Sequence, residues 1–289
     1  NPKTISIPFE QLGMHASVIK TVEEELKRPN GMILTTGPTG SGKTTTLYAF
    51  LKELHTPGIK IITLEDPIEY HLTGIEQTQV NHDAGYDFAT GLRAIVRQDP
   101  DVILVGEIRD LETAETAMHA SLTGHLVFST LHTNDAAGTI PRLIDLGVRP
   151  NIIAPAINVA MAQRLVRKLC PSCKKSSKSN QAERKKIEGE LSAFPKSIKA
   201  PTAAEWMIFR SEPKGCTLCN QLGYKGQIGI YEIILIDEGL ERLILRAPSE
   251  YEIKKEAVRQ GQLNIRQDGL LKVLGGTTDF AEIKRVLGV

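Results

Sequence analysis

Residues 37–44, Gly37-Pro38-Thr39-Gly40-Ser41-Gly42-Lys43-Thr44, fit the pattern G-x-x-x-x-G-K-[ST], and Thr45 follows. Glycines at these positions let backbone N–H groups converge on phosphate oxygens. A helix opening at Lys43 adds the partial positive charge of its N-terminus. Lys43 is then placed for β- and γ-phosphates, and the Thr44 hydroxyl for Mg²⁺. A glycine-rich turn can match such a pattern by chance. The apolar run before it and the helical spacing after it argue otherwise.

Phosphate binding alone does not establish hydrolysis, which needs acids for the metal and for the attacking water. The stretch "DVILVGEIRD" (101–110) gives an apolar strand, a glycine and then Glu107, the order that a metal-supporting acid requires. A second cluster in "LEDPIEY" (64–70) holds Glu65, Asp66 and Glu69 at the carboxyl end of another strand. That is where α/β sheets place ligands. An isolated loop acid is usually just solvated; two clusters on strands flanking one phosphate loop are harder to dismiss. His125 and His132 bracket a further apolar run. His132, at its carboxyl end, can reach a γ-phosphate, whereas His125 reads as structural.

The four cysteines form two pairs, Cys170-x-x-Cys173 and Cys216-x-x-Cys219. In an intracellular chain such pairs point to metal before disulfide. Two knuckles make a closed, structural Cys₄ zinc site. The segment between them is longer than a compact zinc ribbon allows, so redox-active or buried free thiols stay open as the alternative.

These groups need elements to hold them. Strands are expected at 31–36, 59–64, 101–105 and 125–131, with helices at 43–55 and at 110–124, the latter stopped by Gly124. Alternating strands and helices imply an α/β fold with a mostly parallel sheet. From about 168 the chain turns polar, basic and serine-rich, and reads as an exposed insertion. From about 228 it reads as short amphipathic helices. With 289 residues and 41% hydrophobic, the composition is that of a soluble chain of roughly two domains. A net charge of +1 and 5% aromatics disfavour a nucleic-acid surface. No apolar run of about 18 residues or secretory signal is evident, so a cytoplasmic location is expected. The chain begins at Asn1, which suggests a piece of a longer protein.

The motifs together resemble the C-terminal ATPase domain of type II secretion and type IV pilus assembly ATPases, the secretion superfamily of hexameric motors. The matching stretches are "GPTGSGKTTT", "TLEDPIEY", "GLRAIVRQDPD", "VGEIRDLETAETA", "TGHLVFSTLHTNDA", "AQRLVRKLC", "GIYEII" and "DGLLKVLGGTT". The resemblance runs from about residue 9 to the end. It implies a RecA-like P-loop NTPase core at 31–168, preceded by a linker and the start of the domain at 1–30. A tetracysteine zinc-binding insertion at 169–227 and a C-terminal helical subdomain at 228–289 follow. It implies ATP, Mg²⁺ and Zn²⁺, with Glu69 polarising the attacking water, Glu107 supporting Mg²⁺ and His132 reporting on the γ-phosphate. Arg93, Arg97 and Arg109 match arginines that line the nucleotide site and subunit contacts. Arg93 and Arg97, four residues apart, are expected to share a helix face. The bland alternative pairs them with Asp99 or Asp101.

The implied assembly is a homohexamer, peripheral on the inner membrane, working with a membrane platform protein and a cytoplasmic adaptor. It would drive assembly of type IV pili or of the pseudopilus of type II secretion. The cysteines argue against the retraction branch, which typically lacks them. The alternatives are a RecA-like nucleic-acid motor and a nucleotide-dependent docking module with little turnover.

Overall fold

A computed structural model describes residues 7–199, 201–202 and 206–288. The first six residues of the expected linker lie outside these. The strands are β1 Gly31–Thr36, β2 Ile61–Glu65, β3 Glu76–Gln79, β4 Val102–Val105, β5 Leu126–Leu131, β6 Ile157–Leu169, β7 Lys175–Lys178, β8 Met207–Arg210 and β9 Tyr224–Leu235. The α-helices are α1 Ala16–Leu26, α2 Lys43–Leu54, α3 Phe88–Val96, α4 Leu111–Leu122, α5 Thr139–Asp145, α6 Pro150–Ala156, α7 Gln181–Ser192, α8 Glu238–Ile244, α9 Glu250–Arg259, α10 Ile265–Leu274 and α11 Phe280–Leu287.

Seven strands form one sheet in the order β3-β2-β4-β5-β1-β6-β9. All neighbours are parallel except β6 and β9. Strands β1, β2, β4 and β5 are buried along their whole length, as a sheet covered on both faces requires. Successive residues serve opposite faces. Met32 and Leu34 join one apolar cluster with residues of α3, α4 and α6, while Ile33 joins a second with α1 and α2. Val18, Val22 and Leu26 of α1 sit in that second cluster, so this part of the N-terminal region is packed helix.

Register sets what comes next. Thr36 of β1 lies opposite Leu131 of β5, and Leu64 of β2 opposite Val105 of β4. Four strands therefore end at one level. The loops leaving them, which begin at Gly37, Asp66, Gly106 and His132, emerge side by side.

Two expectations need correction. Residues 228–235 are strand, and β9 runs across the expected boundary at 227/228. It pairs with β6 from Val159↔Leu235 to Leu169↔Tyr224. The polar segment after Cys173 is also folded. β7 pairs with β8, and α7 opens on a capping box between Asn180 and Glu183. Ile187 of α7 is fully buried beside Ile208, Leu270, Val273 and Ile283 in a third cluster. Ile187 and the partly buried Leu191, set among lysines and glutamates, left little periodicity to read.

Candidate functional site

The phosphate loop follows β1 and opens α2. Gly37, Gly40 and Gly42 have φ of +152°, +76° and +88°. A Cβ at Gly37 would meet the Gln163 carbonyl at 2.6 Å, so close approach also demands glycine there. Thr36 fixes the loop's start, accepting from the Thr133 N–H at 2.8 Å. Gly42 caps α2 without a side chain, which leaves first-turn N–H groups directed at the loop. Lys43 Nζ donates to the carbonyls of Gly37 (2.8 Å) and Pro38 (3.2 Å). Burial lowers the Lys43 pKa, Glu107 opposes that shift, and Arg164 adds to it.

A cleft of about 440 Å³ lies over the loop. Residues 39–45 line it together with Glu69, Glu107, Arg109 and His132. The Glu107 carboxylate is held on both oxygens: Arg109 Nη2 is 2.5 Å from one, and His132 Nε2 is 3.2 Å from the other. Arg109 is raised above its ordinary pKa by that hydrogen bond and charge. Glu69 is exposed, and among the described residues its carboxylate has no hydrogen bond or ion pair. Gly106 is tied to Leu64 O through its N–H (2.8 Å) and accepts from Thr130 Oγ1 (2.8 Å), which locks the acidic loop to its neighbours.

Glu65 and Asp66 also border the cleft, but the Glu65 carboxylate is tied up beneath it. Glu65 is buried and accepts from Tyr48 Oη, from Thr63 Oγ1 at 2.5 Å and from Gln77 Nε2 at 3.1 Å. It stitches β2 to α2 and β3. Burial, then the Glu65 carboxylate, pushes the Tyr48 hydroxyl pKa up. His125 bonds Ala120 O at 2.9 Å, at the far end of β5.

Arg93 and Arg97 do not line the cleft. Arg93 pairs with Glu112 across α3 and α4, a partner that the sequence did not suggest. Arg97 is the exposed C-cap of α3, one residue beyond the helix. Asp101 instead accepts from the Lys60 N–H.

Sequence reading missed a second cleft of about 550 Å³ on the other flank of the loop. It reaches Gly42, Thr45 and Thr46 and is walled by Leu12, Leu165 and Ile228, with Gln11 and Gln163 as polar groups. The β6–β9 pairing and the short turn at Phe9–Gln11 bring these residues beside the loop, so no local pattern announced them.

The four cysteines come together at the far end of the same strand pair. Cys170 follows β6 and Cys219 precedes β9, and the Cys170 N–H donates to Gly223 O at 3.0 Å. The Sγ atoms lie 3.7 Å apart for Cys170–Cys216 and Cys216–Cys219, and 3.9 Å apart for Cys173–Cys219. All four lie within 4.8 Å of one another. A tetrahedron of ~2.3 Å Zn–S bonds has S···S edges of about 3.8 Å, whereas a disulfide needs about 2.05 Å. The donor set therefore fits zinc. Burial works against the Cys219 thiolate, but N–H groups of Cys216 and Gly223 outweigh it and bring the thiol to about 6.

The chain is similar to known proteins along nearly its whole length. The family model described as "Type II/IV secretion system protein" matches residues 1–285. Type II secretion system protein E of Aeromonas hydrophila is 47% identical over 282 residues, covering 98% of this chain and 54% of that protein. Type IV pilus assembly ATPase PilB of Myxococcus xanthus is 44% identical over 279 residues, covering 96% and 48%. The crystal structure of the pilus retraction motor PilT with bound ADP matches at TM-score 0.59 and 27% identity, over 97% of this chain and 65% of that one. The chain thus spans about half the length of the curated relatives it matches.

Proposed function

The chain belongs to the type II/IV secretion system protein family, and from that premise we propose that it is the ATP-hydrolysing part of a motor. The motor would assemble type IV pili or the pseudopilus of type II secretion. The observation that carries this reading is the meeting of residues 39–45, Glu69, Glu107, Arg109 and His132 in one cleft.

Lys43 and the first N–H groups of α2 would hold the β- and γ-phosphates. The apolar cleft beside Gly42 and Thr45 offers room for the base. Thr44 and, through water, Glu107 would hold Mg²⁺, which neutralises charge on the phosphates when bound. Glu107 is already fixed in place by Arg109 and His132, and an oriented carboxylate suits metal support. Glu69 has no such partner and suits the task of polarising water. His132, tied to Glu107, is in place to respond to the γ-phosphate. Cys170, Cys173, Cys216 and Cys219 would hold a structural zinc that leaves no open position for chemistry.

A ring of six suits a motor, and Arg93 and Arg97, outside their own chain's cleft, suit contact with a neighbouring copy. The expected partners are an inner-membrane platform protein and a cytoplasmic adaptor, with the motor peripheral on the cytoplasmic side. Among the described residues no helix is long and apolar enough to cross a membrane.

The test is Mg-ATP turnover and nucleotide binding for wild type and Lys43→Ala. The variant is expected to lose turnover and most affinity. Unchanged turnover in Lys43→Ala would remove the reading, and binding without turnover in assembled wild type would favour the docking module.

A further inference from the structure

Four consecutive residues after His132 are each held by a different element. The Thr133 N–H donates to Thr36 at the end of β1. The Asn134 carbonyl accepts from Arg164 of β6 at 2.6 Å. Asp135 pairs with Lys254 of α9 at 2.7 Å. The Ala136 N–H donates to Glu232 Oε1 of β9 at 3.0 Å. The second oxygen of Glu232 accepts from the N–H of Ile265, the first residue of α10, at 3.2 Å.

The two ends of that last bridge belong to different bodies of packing. Ala136 lies in the main apolar cluster, whereas Leu270 and Val273 of α10 lie in the third. A cleft of about 1110 Å³ opens between them, with Asn134, Asp135 and Arg164 on one side and Asn264, Ile265 and Gln267 on the other. Glu232 spans it with one planar carboxylate. Two backbone N–H groups share that rigid group, so displacing one strains the other bond unless both move together.

We propose that Glu232 is a positioning residue that couples the His132 loop to α10, so that nucleotide in the loop cleft alters α10. The proposal rests on the nucleotide-binding reading above. His132 faces the cleft beside Glu107. Any shift it makes on nucleotide binding is passed through residues 133–136 to Glu232 and then to the first turn of α10. The Lys254–Asp135 pair passes the same shift to α9. Coupling of this kind needs a physical link between sites, and here each bond of the link is identified.

Glu232→Gln is the informative variant. It keeps shape and one acceptor oxygen, but its NH₂ then faces a backbone N–H, so one of the two ties breaks. Lys254→Met, at an exposed position, removes the separate tie to α9. The measurement is amide hydrogen exchange of the full chain with and without a Mg-bound, non-hydrolysable ATP analogue. In wild type, nucleotide is expected to slow exchange over 37–44 and to change it about fivefold or more over 265–274, the low end of ordinary coupling.

In Glu232→Gln the response over 265–274 is lost, while affinity and slowing over 37–44 stay. In Lys254→Met the response over 250–259 weakens while that over 265–274 stays. A purely structural Glu232 gives faster exchange over 265–274 with and without nucleotide alike, and the same ratio as wild type; that overturns the proposal. So does a wild type that protects 37–44 while 265–274 stays silent, an outcome that leaves the nucleotide reading intact. No protection of 37–44 in wild type removes both. If Glu232→Gln does not fold, Glu232→Asp takes its place: it keeps the charge but is one methylene too short to hold both N–H groups, and an unchanged response over 265–274 in it overturns the coupling.

Discussion

Two carboxylates face the phosphate loop, and their surroundings divide the work between them. Glu107 has a cation or ring nitrogen on each oxygen, while Glu69 is exposed and its carboxylate has no partner among the described residues. Both glutamine variants are expected to bind nucleotide and to lower kcat at least about tenfold, because each group acts on the transition state or its metal. They differ in metal dependence. Glu107→Gln raises the Mg²⁺ concentration needed for half-maximal rate, whereas Glu69→Gln lowers kcat at every Mg²⁺ concentration. Titrating Mg²⁺ at saturating ATP separates them, and wild-type rates in both variants would mean that neither acid is used. The sequence put Glu65 in the same cluster as Glu69. Strand ends are where such distinctions fail: Glu65, still in β2, points into a cage of Tyr48, Thr63 and Gln77. Residue type and spacing cannot reveal that cage, since Gln77 comes from β3, whose sequence "EQTQ" carries no apolar signal.

At the scale of elements, the β6–β9 pair joins the loop cleft at one end to the cysteines at the other. One zinc per chain is expected after washing with a weak chelator, measured by elemental analysis. Cys216→Ser/Cys219→Ser is expected to lose it and to melt the region of β7, α7 and β8, since structural zinc binding is folding free energy. Zinc retained by the double variant would rule the site out. A buried carboxylate holds the other flank of this region. Glu282 of α11 is fully buried, with Arg167 and Arg285 on its oxygens. Burial alone would raise its pKa, but hydrogen bonds from Arg285 and Arg167 prevail and lower it to about 2.

A carboxylate with its folded pKa depressed stabilises fully above its unfolded value and loses that stabilisation as pH falls through the folded one. Wild type is therefore expected to lose stability as pH drops from about 4.5 toward about 2 through this group. Glu282→Ala costs on the order of 2 kcal/mol near neutrality, because it removes the buried acceptor of the Arg167 backbone N–H and of both guanidinium groups. Thermal melts at pH 7 and pH 3 check this: the gap between variant and wild type narrows at low pH, and an equal gap at both contradicts it. The strands around the loop were legible because each is a short apolar run ended by Gly, an acid or, for β5, His132. β6 was not, because its first seven residues are all buried, which hides the alternation of a strand; Pro155 near the end of α6 was the one local sign of a break. The fold of the segment between the cysteine pairs was hidden by its lysines, although the pairing of the knuckles themselves was expected from their spacing.

At the scale of the whole molecule, the cleft contains Arg109 but lacks the other two arginines that the family resemblance implied. Arg93 is occupied by Glu112, and Arg97 projects from the end of α3 into solvent. If the site is finished by a neighbour, chemistry depends on assembly. The most direct measurement is ATP hydrolysis across a range of protein concentrations, with particle mass recorded on the same samples. The account predicts that specific activity rises as mass passes from one chain to six, and that Arg97→Ala flattens the rise while the single chain stays folded. Full specific activity in fractions with the mass of one chain, or none in fractions with the mass of six, would contradict it.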